Sequence, residues 1–197
     1  MTYYVPEFEK IDKAWFEVWG NTFNAPEIVH SMLGNERLRR RVTEQMLHKS
    51  EVDLNAVFSD IEITVLSTFE NDRKRLRSIA GLVFHGRIIR EQVQKSGFEK
   101  LTRKFRFPDL KLAAGLRELH SDHAAFNPDL SRLDELVDRA GQQCLEQWRL
   151  GLNRQMQLRV DLIKKPDLVQ PMMSSDVGIE HASAIVNAVC LRLNVQV

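Results

Sequence analysis

Apolar residues recur at helical spacing along most of this chain, and three stretches carry the pattern most clearly. They span 72–101, 130–148 and 176–193. The residues that share a face in the first stretch are Ile79, Leu82, Val83, Gly86, Ile89 and Val93. Asp72 stands as an anion at the start of that stretch, and Gly97 stands as its C-cap. We therefore predict a central helix over 72–97 and two further amphipathic helices later in the chain.

Local start signals predict further helices between these stretches. Pro26 suits a first helical position, and Asn35 suits the N-cap of a helix over 36–50. Residues 53–69 favour a helix by length, although Ile61, Ile63 and Val65 alternate like a strand. Pro108-Asp109 opens a helix over 110–119. Asn127-Pro128-Asp129 is a strong start signal for the helix that follows it.

One stretch departs from the helical period. Met156, Leu158, Val160 and Leu162 alternate with polar residues, which predicts one short half-buried strand or extended segment near residues 155–163. Residues 1–25 are rich in aromatic side chains and are expected to form a short helix that packs on the body. The predicted fold class is all-α, as a single helical domain over residues 1–197.

Composition narrows the class of protein. The longest apolar run is far shorter than the roughly 20 residues of a membrane span. The first residues, MTYYVPEFEK, lack the features of a secretory leader. Two cysteines, Cys144 and Cys190, form no disulfide framework or zinc pattern and fit a reducing compartment. We expect a cytoplasmic protein without direct membrane insertion.

Charge is concentrated in the middle of the chain. Residues 72–106 carry eleven cations against three anions, whereas the whole chain has a net charge of +1. This segment is either a solvated face paired with acidic neighbours or a surface for an anionic partner. The cations before the apolar face, and two within the central helix, are candidate partner-binding residues: Arg73, Lys74, Arg75, Arg77, Arg87 and Arg90.

Residues suited to catalysis or metal binding are scarce. His120 and His123 could pair on zinc, but no third ligand lies at a recognisable distance. His85 flanks an apolar face without an acid in register, which favours a core or interface histidine. Both cysteines lie on apolar helix faces and look like core thiols. We predict no catalytic residue, no cofactor, no metal and no small-molecule substrate.

The segment Gly81-Leu82-Val83-Phe84-His85-Gly86, followed by Ile89-Arg90, resembles the "GLVLHG…IR" segment of the SctK (YscK/PscK-type) family. These are accessory proteins of bacterial type III secretion systems. The sharp similarity covers about ten residues, a looser one covers 72–195, and the first 70 residues match no part of the family pattern. Phe84 stands where the family often has leucine.

The resemblance implies a non-enzymatic cytoplasmic adaptor of the type III secretion sorting platform. Such a protein links the SctD-like inner-membrane ring domain to SctQ-like pod proteins, so it is peripheral to the cytoplasmic face of the inner membrane. The motif residues Gly81, Leu82, Val83, Phe84, His85, Gly86 and Ile89 would then be structural.

Two further interpretations follow from the residues themselves. The basic segment 72–106 could instead make the chain a nucleic-acid-binding module, with Phe105 and Phe107 offering stacking surfaces among cations. Gly81 and Gly86 are unfavourable inside a helix by roughly 1 kcal/mol each relative to alanine. Close approach of another backbone at Gly86 would compensate for its helix penalty.

Overall fold

A computed structural model of the protein describes residues 2–3, 11, 13–22, 26–53, 55–94, 98–121, 132–164 and 177–195. Across these residues the fold is all-α, as predicted. The helices are α1 Lys13–Thr22, α2 Pro26–Leu33, α3 Glu36–Lys49, α4 Asp60–Phe84, α5 Gly86–Gln94, α6 Phe98–Lys104, α7 Phe107–Ala114, α8 Leu133–Gly151, α9 Arg154–Ile163 and α10 Ile179–Val195. Two strands of two residues each, β1 Thr2–Tyr3 and β2 Val57–Phe58, pair antiparallel with Thr2 opposite Phe58.

The chain divides into two compact units. Unit 1 comprises Met1–Leu66 and Leu152–Met172, and unit 2 comprises Ser67–Gly151 and Met173–Val197. Each unit is built from two separate pieces of chain. The prediction of one domain over 1–197 stays a prediction.

Unit 1 has its own apolar core. Phe16 of α1 is 3% exposed and lies in a buried cluster with side chains from α3 and α9. Trp15 packs against this cluster, and its indole Nε1 donates to the backbone oxygens of Asp161 at 3.1 Å and Lys164 at 2.7 Å. Trp15 and Phe16 of the aromatic N-terminal segment thus belong to the core of unit 1.

The start signals of α2 and α3 are confirmed. Helix α2 begins at Pro26. The Asn35 side chain accepts from the backbone N–H groups of Arg37 at 3.1 Å and Leu38 at 3.4 Å, which makes it the N-cap of α3. The signals at Asn127-Pro128-Asp129 and Gly97 lie outside the described residues.

The strand predicted near residues 155–163 is wrong, because this stretch forms helix α9. The Asn153 side chain caps the helix by accepting from Met156 N–H at 2.9 Å. The alternation of apolar and polar residues wrongly indicated a strand with one exposed face, because Arg159 is polar but fully buried. Its guanidinium donates to the Asp53 backbone oxygen at 2.7 Å and lies 4.7 Å from the centre of the Phe58 ring. The helix is therefore buried around most of its circumference.

Helix α4 starts earlier than the predicted central helix and ends sooner. It begins with a capping box, in which Ser59 N–H donates to the Glu62 carboxylate at 2.8 Å and Ser59 Oγ accepts from Glu62 N–H at 3.3 Å. Asp72, the predicted start, is instead an internal kink with φ −139° and ψ 39°. The prediction of a helix over 53–69 holds from Asp60 onward.

The predicted continuous helix through Gly86 is also corrected. The backbone oxygen of Phe84 accepts from Ser121 N–H at 3.1 Å, which takes up a carbonyl at the end of α4. Helix α5 then begins at Gly86. His85 links the two helices, so the motif segment spans a helix end and a helix start.

In unit 2, α8 and α10 pack along each other and supply much of the core. Trp148 of α8 is 1% exposed and its ring lies 5.4 Å from the ring of Phe69 in α4. The predicted helix over 110–119 is shorter, since α7 ends at Ala114 and a 3-10 turn follows over Arg117–Leu119. Over the residues that the structure describes, none of the helices combines the length and apolar character that a membrane crossing requires.

Candidate functional site

Helices α4 and α8 touch at a pair of glycines. A methyl group added at Gly81 would collide with the Val137 backbone oxygen and would lie 3.0 Å from the Gly141 nitrogen. A methyl group added at Gly141 would in turn collide with the Arg77 backbone oxygen. The backbones therefore meet directly, which explains why glycine stands inside both helices. The close backbone approach predicted at Gly86 occurs at Gly81 instead.

The remaining motif residues are packing residues. Leu82 and Val83 are fully buried, and Phe84, His85 and Ile89 are each less than 8% exposed. Gly86 is buried against the imidazole of His120, which occupies the space that a Cβ would need. A nitrogen of that imidazole lies 3.2 Å from the Ala113 backbone oxygen. The motif therefore positions a helix junction and a histidine side chain.

His85 is held in a buried, mostly apolar environment. Its ring lies edge-on to the Phe84 ring at 5.2 Å, and its Nδ1 atom has no hydrogen-bond partner among the described residues. Burial lowers the pKa of His85 below its ordinary value of 6.5, and a hydrogen bond with the Leu136 backbone opposes that shift. His85 is thus kept neutral, in agreement with a core histidine.

The lowered pKa of His85 predicts acid sensitivity. The unfolded chain binds a proton on this imidazole near pH 6.5 and the folded chain does not, so stability is full above that pH and falls below it. Each proton contributes a slope of at most about 1.4 kcal/mol per pH unit. Denaturant unfolding of wild type and His85→Leu at pH 7.5 and 5.5 should show a smaller acid loss in the variant. The control is His48→Gln, at an exposed histidine, which should lose as much stability as wild type. An acid loss in His85→Leu equal to that of wild type would contradict the prediction.

The two thiols are core groups. Burial raises the pKa of Cys144 and of Cys190 to about 12 in each case. At pH 8 only about one thiol in 10⁴ would be ionised. We expect 5,5′-dithiobis(2-nitrobenzoic acid) to leave the folded protein unlabelled over minutes and to label two thiols in guanidinium chloride. Rapid labelling of either thiol in the native protein would contradict this assignment.

The predicted partner-binding cations divide into paired and exposed residues. Arg75 binds the buried Asp109 carboxylate at 2.9 Å, and Arg77 binds Asp138 at 2.7 Å. Arg73 lies 5.9 Å from the centre of the Phe69 ring. Two of the four cations at the start of the central segment thus pair with acidic residues of the same chain. This agrees with the interpretation of the segment as a face paired with acidic neighbours.

Three other members of the predicted set are placed as follows. Arg87 pairs with Glu91 at 3.6 Å within α5. Lys74 and Arg90 are exposed, and neither forms an ion pair with a described residue. Lys74 and Arg90 are therefore the members of the predicted set that are best placed to meet a partner.

An apolar groove opens on the surface of unit 2 next to Arg90. Its volume is about 270 Å³. Leu82 and Ile89 of the motif line it together with Val93, and α7 contributes Leu110, Ala113 and Ala114. His120, Gly86, Phe98 and Phe107 also belong to the lining, and the rings of Phe98 and Phe107 lie 6.0 Å apart and edge to face.

The rim of this groove is cationic. Its charged lining residues are Arg90, Lys111 and Arg117, and each is exposed. Sequence reasoning found Arg90 but missed Lys111, Arg117 and Phe98, because they come from segments that only the fold brings together. Phe98 and Phe107, 42% and 56% exposed, left one signal in the sequence, namely aromatic residues inside a strongly basic stretch.

Other site types find little support among the described residues. Within the described ranges, no three or more His, Cys, Asp or Glu side chains gather closely enough to hold a metal ion. His123, the second residue of the candidate zinc pair, lies outside those ranges. Comparison of the chain with models of protein families, with curated proteins and with solved structures finds no match in any of the three.

Proposed function

We propose that this protein is a non-enzymatic adaptor of a bacterial type III secretion sorting platform. In this role it links an SctD-like inner-ring cytoplasmic domain to an SctQ-like pod protein at the cytoplasmic face of the inner membrane. The observation that carries the proposal is the segment from Gly81 to Gly86, with Ile89-Arg90, which resembles the SctK family.

The environment of this segment supports an adaptor. Leu82 and Val83 are fully buried, and Gly81 lets α4 and α8 meet backbone to backbone. Residues that set a helix crossing preserve a rigid shape, which is what an assembly component needs to present fixed surfaces to two partners. The exposed Lys74 and Arg90 are available for such contacts.

Deletion of the gene in the native host tests this function. We expect secretion of effectors to stop and a fluorescent SctQ-like pod protein to lose its foci at the membrane, with both restored by the wild-type chain. Co-purification of the SctD-like and SctQ-like proteins with a tagged copy should accompany the restoration. Normal secretion and normal foci in the deletion strain would overturn the proposal.

A nucleic-acid-binding module is the alternative, and one observation favours it. Phe98 and Phe107 are exposed aromatic residues in a stretch of chain that also carries the exposed Arg103 and Arg106, and such residues could stack bases and contact phosphates. Phosphate binding weakens steeply with salt, with a log–log slope of about −0.7 for each phosphate of a single strand. Submicromolar binding of an oligonucleotide near 150 mM salt, lost in Phe98→Ala with Phe107→Ala, would favour this alternative over the adaptor.

A further inference from the structure

The groove on unit 2 is small. Its volume of about 270 Å³ is close to the lower limit of roughly 300 Å³ for typical small-molecule sites. Such a volume has room for a few apolar side chains. Interfaces concentrate their binding energy in a few anchors that fill pockets of this kind.

Apolar residues are left exposed along this groove. Val93 is 43% exposed, Phe98 42% and Phe107 56%, although all three are large and apolar. They come from the consecutive helices α5, α6 and α7 and line the same opening. Exposed apolar residues that gather at one opening with a polar rim occur at sites that bind proteins, membranes or ligands.

The charge of the rim specifies the partner. Among the described residues, the lining contains Arg90, Lys111 and Arg117 and no Asp or Glu. None of the three cations forms an ion pair with a described residue. Lys104, which lies outside the groove, shows the contrast: it binds Asp134 at 2.6 Å and lowers the pKa of that carboxyl. An occupant with acidic side chains would complete the rim.

We propose that the groove binds an acidic amphipathic helix of a partner protein. Apolar residues of that helix at i, i+3 or i+4, and i+7 would enter the groove, and Asp or Glu beside them would bind Arg90, Lys111 and Arg117. The described residues that line the groove lie mostly in helices and include no strand, so a docked helix suits the groove better than an added strand. The groove can take such a helix whatever assembly the chain belongs to.

Synthetic peptides provide the probe. A panel of helix-forming peptides of about 14 residues would carry Leu, Ile, Phe, Trp or Met at the anchor positions. Every peptide would be made with Glu and with Lys at the flanking positions, and titrated against the full chain by fluorescence anisotropy. We expect the best Glu peptides to bind at least about tenfold more tightly than their Lys counterparts, with affinity falling as salt rises.

Two variants locate the binding. Ala114→Phe fills the groove at an exposed position and should reduce the affinity of the best Glu peptide at least about tenfold. Arg90→Glu with Arg117→Glu leaves Lys111 as the one cation of the described lining beside two anions, which makes the rim net negative, and should reverse the preference between Glu and Lys peptides. The charge-matched control is Arg37→Glu with Arg41→Glu, at exposed positions of α3, which should bind like wild type.

The outcomes separate clearly once circular dichroism and thermal melts show that the variants are folded. Binding of Glu peptides that both groove variants weaken and the control preserves would support the proposal. Absence of binding by the whole panel, equal binding to Ala114→Phe, or preference for Lys peptides would overturn it. Tighter binding of a single-stranded oligonucleotide at the same residues would also overturn it, in favour of a nucleic-acid site.

Discussion

Replacement of Gly81 by alanine is expected to lower the free energy of unfolding by about 3 kcal/mol, the upper part of the usual range for overpacking. The added methyl group would collide with the Val137 backbone oxygen, and its other near neighbours are also backbone atoms. A side chain can rotate away from a clash, whereas two packed helix backbones must move apart. Gly141→Ala should have a similar effect, because its methyl group would meet the Arg77 backbone.

The sign of the change makes this prediction decisive. Helix propensity alone would make Gly81→Ala stabilising by roughly 1 kcal/mol. Denaturant unfolding of Gly81→Ala and Gly141→Ala measures the net effect. Gly178→Ala is the control in the same unit, since no atom of the described residues is found within 4 Å of its added methyl group, and it should change stability by less than about 1 kcal/mol. Unchanged or increased stability of Gly81→Ala would mean that α4 and α8 do not meet at this glycine.

Features that depend on local sequence were predictable. The helix starts at Pro26 and after the N-cap Asn35 are each decided by a few neighbouring residues, and both occur as predicted. The apolar periods of 130–148 and 176–193 correspond to α8 and α10, because both helices bury one continuous stripe. Burial of both cysteines also followed from their position on those stripes.

Features that depend on distant contacts were not predictable. At the end of α4, the Phe84 backbone oxygen accepts from Ser121 N–H, which lies 37 residues later in the chain. The stretch of α9 looked like a strand because Arg159 is polar but buried. Its guanidinium is stabilised there by Asp53 and Phe58, which lie far away in sequence. A pattern of apolar and polar residues contains no record of such partners.

The groove shows the same limit for the candidate site. The motif segment marked Leu82, Gly86, Ile89 and Arg90, and all four line the groove. Much of the remaining lining comes from α7. The sequence predicted α7 as a helix but gave no indication of which helices pack against it. Similarly, the cations of 73–77 looked available for a partner, because their acidic partners Asp109 and Asp138 lie more than 30 residues away.

Arg75 gives the second large effect that we expect. Its guanidinium binds the Asp109 carboxylate through Nε and Nη2, each at 2.9 Å, and the Asp109 side chain is only 6% exposed. Arg75→Met would leave this buried carboxylate without its cation. Removal of one partner from a buried pair costs about 3–5 kcal/mol. Because Arg75 is itself 27% exposed, the lower end, about 3 kcal/mol, is expected.

A neighbouring residue provides the matched control for Arg75→Met. Arg77→Met, on the same helix as Arg75, breaks the pair between Arg77 and Asp138 of α8, whose side chains are 39% and 54% exposed. Exposed pairs contribute about 1 kcal/mol or less, so this variant should be nearly as stable as wild type. The unfolding free energies of the two variants, measured side by side, give the comparison.

The double variant Arg75→Met with Asp109→Leu completes the test. Replacement of a buried ion pair by apolar side chains is often neutral, so the double variant should recover most of the stability that Arg75→Met loses. A double-mutant cycle would then give a coupling between the two residues well above zero. If Arg75→Met were as mild as Arg77→Met, Arg75 would be free to serve a partner, as the sequence first suggested. If Arg75→Met is destabilising, Arg75 stabilises the fold, and a change at this residue cannot report on partner binding alone. Partner binding must then be tested at Lys74 and Arg90 instead.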